Sequence, residues 1–380
     1  MDPSEVKYEA PLTKHLFRKA TSRGMPLSGT IEVSPVCNFN CRMCYVRKSP
    51  QEVAAGERRM LEVGDWLRIA AQARDAGALY MLITGGEPFL WPGFCILYEE
   101  LVRSGFLVTV NTNGSLIDKD TVEWLKKLPP VRLNITLYGA SDETYGRLCR
   151  SPQGFTKTAA AVDMLRAAGV PVKLNCSLTP ENAEDLEAMI AFAGERDLII
   201  EVNTYMFPPV RRCGSGRTED FERFTPEEAA YYHIKRYRLQ YGEERYADFL
   251  AGLRDGCARI EGLDEYCTDP LDGKVSCRAG KAAWWITYDG LMTPCGMMDR
   301  PSVDITKDSF AACWEKLREE TEKLRLSGVC QRCESRSVCH SCAAMAYAET
   351  GTTEGIPRYL CKMTEEMQRL AAEYLRAIDN

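Results

Sequence analysis

Residues 34–46 read SPVCNFNCRMCYV, directly after the β-branched run of residues 29–35 that the pattern predicts as a strand. Three residues separate Cys37 from Cys41 and two separate Cys41 from Cys44. One tight loop therefore carries three thiols, enough for three corners of a four-iron, four-sulfur cube, and leaves one iron open to bind a substrate or cofactor. Iron-sulfur clusters ordinarily take four cysteines. A triplet at the C-terminal mouth of a first strand, where barrel active sites lie, points to catalysis. Three structural thiols, or a zinc site borrowing a distant fourth ligand, are the alternatives at this stage.

Outward from that loop, residues 29–206 alternate short apolar runs with amphipathic stretches, the form of repeated βα units around a parallel sheet. Strands are expected near 29–35, 79–84, 106–112, 131–138, 171–178 and 198–205, with helices between them. Six such units make a partial (β/α)6 TIM-like barrel, an α/β fold. Pro208 and Pro209 end the alternation. The expected organisation is an N-terminal extension (1–28), the partial barrel (29–210), a bridging helical segment read as solvated (211–256), a cysteine-rich domain (257–365) and a closing helix (366–380). Met363, Met367, Leu370, Tyr374 and Ile378 stripe one face of that last helix, as core residues do.

Composition narrows the chemistry. The chain of 380 residues carries 17 cysteines against 3 histidines, with a net charge of -6. So few imidazoles exclude most zinc and triad enzymes. No basic stripe invites nucleic acid, and no apolar run suits a membrane span or an export signal, so a cytoplasmic protein with reduced thiols is expected.

A second segment follows the second expected strand: Thr84-Gly85-Gly86-Glu87-Pro88. Two glycines let the backbone approach a ligand closely, and Pro88 fixes the turn. Taken with the triplet, it resembles the radical S-adenosylmethionine (radical SAM) superfamily. The resemblance implies that the cluster on Cys37, Cys41 and Cys44 binds SAM, and that Gly85, Gly86, Glu87 and Pro88 flank its amino group. Asn113 and Thr136 would reach the ribose, Arg147 the carboxylate, and Ser177, with Asn175, would contribute from the fifth strand tip. Its chemistry is reductive cleavage of SAM to a 5'-deoxyadenosyl radical that abstracts hydrogen from a substrate.

The later cysteines resemble the SPASM extension of that superfamily: Cys277, Gly290 and Cys295, then Cys330, Cys333, Cys339, Cys342 and Cys361. The last paired spacing is two residues where the family usually has three. The resemblance implies two auxiliary 4Fe-4S clusters, three in all. Cys330, Cys333, Cys339 and Cys361 would hold the distal one; Cys277, Cys295 and Cys342 the proximal one, with Cys267 or Cys257 as its fourth ligand unless that position is open. Trp284 to Tyr288 alternate into Asp289-Gly290, a hairpin signal. Tyr288, Asp289 and Asp299 are candidate proton acceptors beside the proximal cluster. Cys95, Cys149, Cys176, Cys213 and Cys313 lack partners at ligand spacing and read as small buried hydrophobes.

SPASM enzymes, as the resemblance implies, mostly modify peptides and proteins, so oxidation or cross-linking of a side chain is expected, as in ribosomal-peptide maturation. Gly296 stands where sulfatase-maturing members carry an aspartate, which argues against formylglycine formation. About 28 residues precede the barrel, so a leader would be recognised by the barrel or by a separate protein. The reductant implied is a flavodoxin or ferredoxin. The rivals are a small-molecule dehydrogenase or epimerase acting on a sugar or amino acid, and a zinc or electron-transfer scaffold without catalysis.

Overall fold

The computed structural model describes residues 11–210, 222–256, 273–339 and 341–378. Six parallel strands run in sequence order: β1 Ser28–Glu32, β2 Tyr80–Thr84, β3 Leu107–Thr112, β4 Arg132–Thr136, β5 Val172–Ser177 and β6 Ile200–Asn203. Each lies within the stretch expected of it or one residue beyond. Helices such as Val63–Asp75, Phe94–Arg103 and Gly154–Ala167 return the chain along one face, which the parallel register requires.

Alternation within the strands decides which side faces which. Ile31, Ile83, Val110, Ile135, Leu174 and Val202 are buried among helix residues such as Trp66, Leu97, Leu125 and Leu165. Each such burial contributes about 1.5–3 kcal/mol. The intervening residues (Glu32, Thr84, Asn111, Asn134, Thr136, Asn175 and Asn203) face the concave side. Barrel interiors are usually filled with Val, Ile and Leu; this wall is polar.

The hairpin signal at Asp289-Gly290 is realised, and it extends the barrel sheet. β7 (Ala283–Ile286) pairs parallel with β1, and β8 (Leu291–Thr293) and β9 (Val303–Asp304) follow antiparallel, so among the described residues one nine-stranded sheet runs β6-β5-β4-β3-β2-β1-β7-β8-β9. Gly29 makes the junction: a Cβ there would stand 2.1 Å from the Trp284 ring. Trp284 is buried, gives its Nε1–H to the Pro26 carbonyl (3.2 Å) and meets Phe310 edge-on. Hairpin core is therefore its role. Trp285 turns to the concave side and gives its Nε1–H to Glu32 Oε1 at 2.7 Å.

The bridging segment differs from its solvated reading. Helices Pro226–Gln240 and Glu243–Arg254 bury Ala229, Ala230, Ile234, Tyr246, Leu250 and Leu253 and pack on the closing helix Arg358–Ile378. Many charges diluted the apolar stripe in the sequence, but a stripe of alanines and leucines is enough for a helix to seat. Met363 and Met367 are buried opposite it, with Leu370 and Tyr374 packed alongside. No helix among the described residues is long and apolar enough to cross a membrane.

Candidate active site

The three-cysteine loop lies at the C-terminal end of β1 and is held by its backbone. Asn40 N–H donates to the Cys149 carbonyl (2.9 Å), Arg42 N–H to Leu148 (3.0 Å) and Lys48 N–H to Pro35 (3.0 Å). The sulfurs receive donors of their own: Phe39 N–H and Asn113 Nδ2 point to Cys37 Sγ at 3.3 and 3.7 Å, and Arg47 N–H to Cys44 Sγ at 3.3 Å. N–H donors stabilise thiolates, the form that ligates metal. Burial pushes the Cys37 thiol up to about 12, with the charges of Glu87, Cys41 and Cys44 adding to the shift. Without a cation Cys37 and Cys41 are held as neutral thiols, and a cationic cluster is what would favour their deprotonation. This donor set fits an iron-sulfur cluster. Among the described residues no three His, Cys, Asp or Glu side chains gather as a single metal ion would need; a cube joins each thiolate to a different iron.

Cys149 is buried against Cys41, whose thiol is raised first by that hydrogen bond and then by burial. The helix Asp142–Cys149 places it there, more than a hundred residues along the chain. Spacing gave no signal of this neighbour.

The Gly-Gly-Glu-Pro segment closes on the cysteine loop. Gly86 N–H donates to Ser34 (2.7 Å) and Glu87 N–H to Val36 (3.0 Å). Gly85 has φ 144°, and a Cβ on it would stand 2.3 Å from the Ser34 carbonyl oxygen; on Gly86 it would stand 2.3 Å from that of Val36. Gly86→Ala is expected to push the cysteine loop off its register, at a cost of roughly 1–3 kcal/mol in strain. Equilibrium dialysis of SAM against the anaerobic protein should show affinity weakened about tenfold or more.

Glu87 is engaged within the protein itself. Its carboxylate is fully buried, with Oε1 accepting from Thr112 Oγ1 (2.7 Å) and Phe89 N–H (3.1 Å), and Oε2 from Asn113 N–H (2.8 Å). It therefore locks the tip of β3 beneath the loop. Asn113 passes the constraint on, giving Nδ2–H to Asn38 Oδ1 at 2.9 Å as well as to Cys37. Thr136 ends β4 on the concave side and Ser177 ends β5 beside Asn203. Arg147 is engaged elsewhere, with Glu143 (2.9 Å) and the Glu181 carbonyl (3.4 Å), because its helix turns it outward.

The C-terminal thiols fall into two sets. Cys295, pushed up to about 12 by burial, feels the charges of Cys342 and Cys277. Cys330 and Cys361 are likewise raised by burial and couple with Cys339 and Cys333. Cys342 stands with the first set despite its shortened spacing. Cys267, Cys257 and Cys213 lie outside the described residues. Asp299 accepts from Tyr347 Oη at 2.5 Å, joining the segment after Cys295 to the helix after Cys342; sequence spacing could not reveal Tyr347. Tyr288 Oη accepts from Lys48 Nζ (2.8 Å), and Asp289 accepts from Thr287 Oγ1 (2.6 Å) beside Arg58 (3.8 Å). Those two close the hairpin against the cysteine loop.

Residues 31–193 match the model of the radical SAM superfamily. The chain carries a radical SAM domain. Among curated proteins, the chain is 26% identical over 335 residues to the AdoMet-dependent heme synthase of Methanosarcina barkeri, covering 84% of this chain and 92% of that one. It is 24% identical over 334 residues to the sporulation killing factor maturation protein SkfB of Bacillus subtilis, covering 82% and 73%. Among solved structures, Streptococcus suis SuiB bound to precursor peptide SuiA superposes with TM-score 0.66 at 19% identity, over 92% of this chain and 80% of that one. The shared shape thus extends beyond the barrel into the cysteine-rich region.

Proposed function

We propose that this radical SAM enzyme abstracts hydrogen from a peptide or protein side chain and oxidises or cross-links it, as a maturase of ribosomal peptides. The observation that carries this reading is the group of seven cysteines, Cys277, Cys295, Cys330, Cys333, Cys339, Cys342 and Cys361, that follows the radical SAM barrel. Likeness to SkfB, a maturation protein, and to SuiB, solved with its precursor peptide, supports it. Cys37, Cys41 and Cys44 would hold the SAM-binding cluster, with Cys277, Cys295 and Cys342 on one auxiliary 4Fe-4S cluster and Cys330, Cys333, Cys339 and Cys361 on the other. When bound, the cluster and SAM supply a one-electron cleavage that yields a hydrogen-abstracting radical.

The chain's own residues position and protect. Gly85 and Gly86 bring backbone against the cysteine loop, Glu87 and Asn113 hold it, and Asp299, which accepts from Tyr347, would take the proton. Reduction falls to a flavodoxin or ferredoxin, and leader recognition to the barrel or to a separate protein, in the cytosol.

A second reading is favoured by one observation: the likeness to AdoMet-dependent heme synthase spans 92% of that protein. Under it the reaction is a step of heme synthesis and the substrate a porphyrin. Anaerobic assays of deoxyadenosine with candidate peptides from neighbouring short reading frames, and with iron coproporphyrin, separate the two. Stimulation by peptide alone is expected; stimulation by porphyrin alone overturns the peptide reading. Metal analysis should give about twelve iron per chain, as three cubes require; zinc in their place would remove both.

A further inference from the structure

The concave wall below the strand tips carries charge that the proposed chemistry leaves unused. On β4, β5 and β6, Arg132, Lys173 and Glu201 alternate with Leu133, Leu174, Ile200 and Val202, which enter the helix layer, so all three stand on the inner side. Lys173 is ion-paired with Glu201. Arg132 gives Nε–H to Asn134 Oδ1 (2.9 Å), and Asn134 gives Nδ2–H to Asn111 Oδ1 (2.8 Å). Among the described residues no carboxylate bonds this guanidinium.

A second arginine arrives from the neighbouring helix. The C-terminal residue of Pro226–Gln240 is tied to the edge strand β6, Gln240 Nε2–H donating to the Ile200 carbonyl at 2.7 Å. Among the described residues, Arg236 of that helix meets Gln240 Oε1 and His233 Nδ1 at 3.5 Å and the Tyr237 ring at 4.4 Å, and no carboxylate. Its Nε is buried without an acceptor. Burial lowers both arginines, and both feel the charge of Glu201, which Lys173 already neutralises. Lys173 pairs with Glu201, and the two arginines lie within the field of the same carboxylate. Other arginines of the barrel carry an acid of their own: Arg58 with Asp304 (2.9 Å), Arg59 with Asp65 (2.6 Å), Arg196 with Asp163 (2.8 Å). Desolvating a guanidinium without an anion is costly, and a carboxylate fits its fork.

We propose that Arg132 and Arg236, flanked by Lys173, seat a carboxylate of the substrate on the inner wall; resting on the peptide reading, this is an Asp or Glu side chain of the bound segment. Arg132 lies four residues down β4 from Thr136, about 13 Å below the mouth at the rise of a strand. An anchor so far from the reacting centre fixes which part of the substrate reaches it.

The test is equilibrium binding to the cluster-loaded full chain. Fluorescein-labelled (Gly-Glu)4 and its (Gly-Gln)4 twin are titrated by anisotropy, and iron coproporphyrin, a tetracarboxylate, by its Soret shift. Arg132→Gln/Arg236→Gln is expected to weaken the carboxylated probe about tenfold or more, Lys at both positions to recover most of that loss, and Arg196→Gln to change nothing. The lysine pair separates lost charge from a damaged wall. Equal binding of the Glu and Gln peptides together with porphyrin binding insensitive to the arginines overturns the seat. Arginine-dependent binding of porphyrin alone upholds the seat and assigns its carboxylate to the porphyrin; the peptide reading is judged separately, by peptide-stimulated deoxyadenosine.

Discussion

Replacing Cys37, Cys41 and Cys44 together by alanine is expected to lower reductive cleavage of SAM by at least about a thousandfold, because the cofactor pair carries the chemistry and these sulfurs would anchor it. Iron should fall by about four atoms per chain, one cube's worth. The loop itself should survive. Its backbone bonds to Leu148, Cys149 and Pro35 involve no sulfur, and Glu87 grips β3 through atoms that the substitutions leave alone. The melting temperature should therefore move by only a few degrees while activity vanishes, and that divergence separates a lost cofactor from a lost fold. Deoxyadenosine is measured anaerobically with dithionite, and iron by elemental analysis on the same preparation. Undiminished iron with continuing cleavage would place the cofactor on other residues.

The barrel was legible because burial writes a period of two into its strands and a longer period into its helices. Ile31, Ile83, Val110 and Ile135 fall where the alternation puts them, and the loop between Val33 and Val46 declared itself by thiol spacing alone. What stayed hidden depends on distance along the chain. Trp284 packs on Gly29 across some 250 residues, so nothing local announced that the C-terminal hairpin would join the barrel sheet. Cys149 beside Cys41, Tyr347 beside Asp299 and Arg236 beside the β6 edge are likewise pairings that only the fold creates. Arg147 shows the converse: a residue of suitable chemistry at a suitable place in the order, drawn off by Glu143 one helical turn away. Glu87 was found by its motif, yet its work inside the protein was invisible, because a carboxylate that accepts from three donors cannot be told in sequence from one that waits for a ligand.

That role makes Glu87 the most consequential single side chain. Glu87→Ala leaves the Thr112 hydroxyl and the Asn113 and Phe89 N–H groups unpaired beside a cavity, and should cost about 3–5 kcal/mol in denaturant unfolding. Glu87→Gln isolates the charge. Burial raises this carboxyl from 4.5 to about 7, against the pull of Asn113, Thr112 and Phe89. A carboxyl whose folded value is raised holds a proton that the unfolded chain has released between those two pH values. Its ionisation therefore opposes folding: stability is greatest at the acid end and falls as pH rises through about 7. The full swing for such a shift is about 3 kcal/mol, at 1.36 kcal/mol per unit. Glutamine cannot ionise, so the unfolding free energy of Glu87→Gln relative to the parent should improve by about 2–3 kcal/mol between pH 5 and pH 8. The substituted amide must also turn its own N–H against one of the three donors, so the variant should start below the parent at pH 5. A difference that stays constant across this range would mean that the three donors hold the carboxylate ionised throughout, and Glu87 would then brace the loop as an anion.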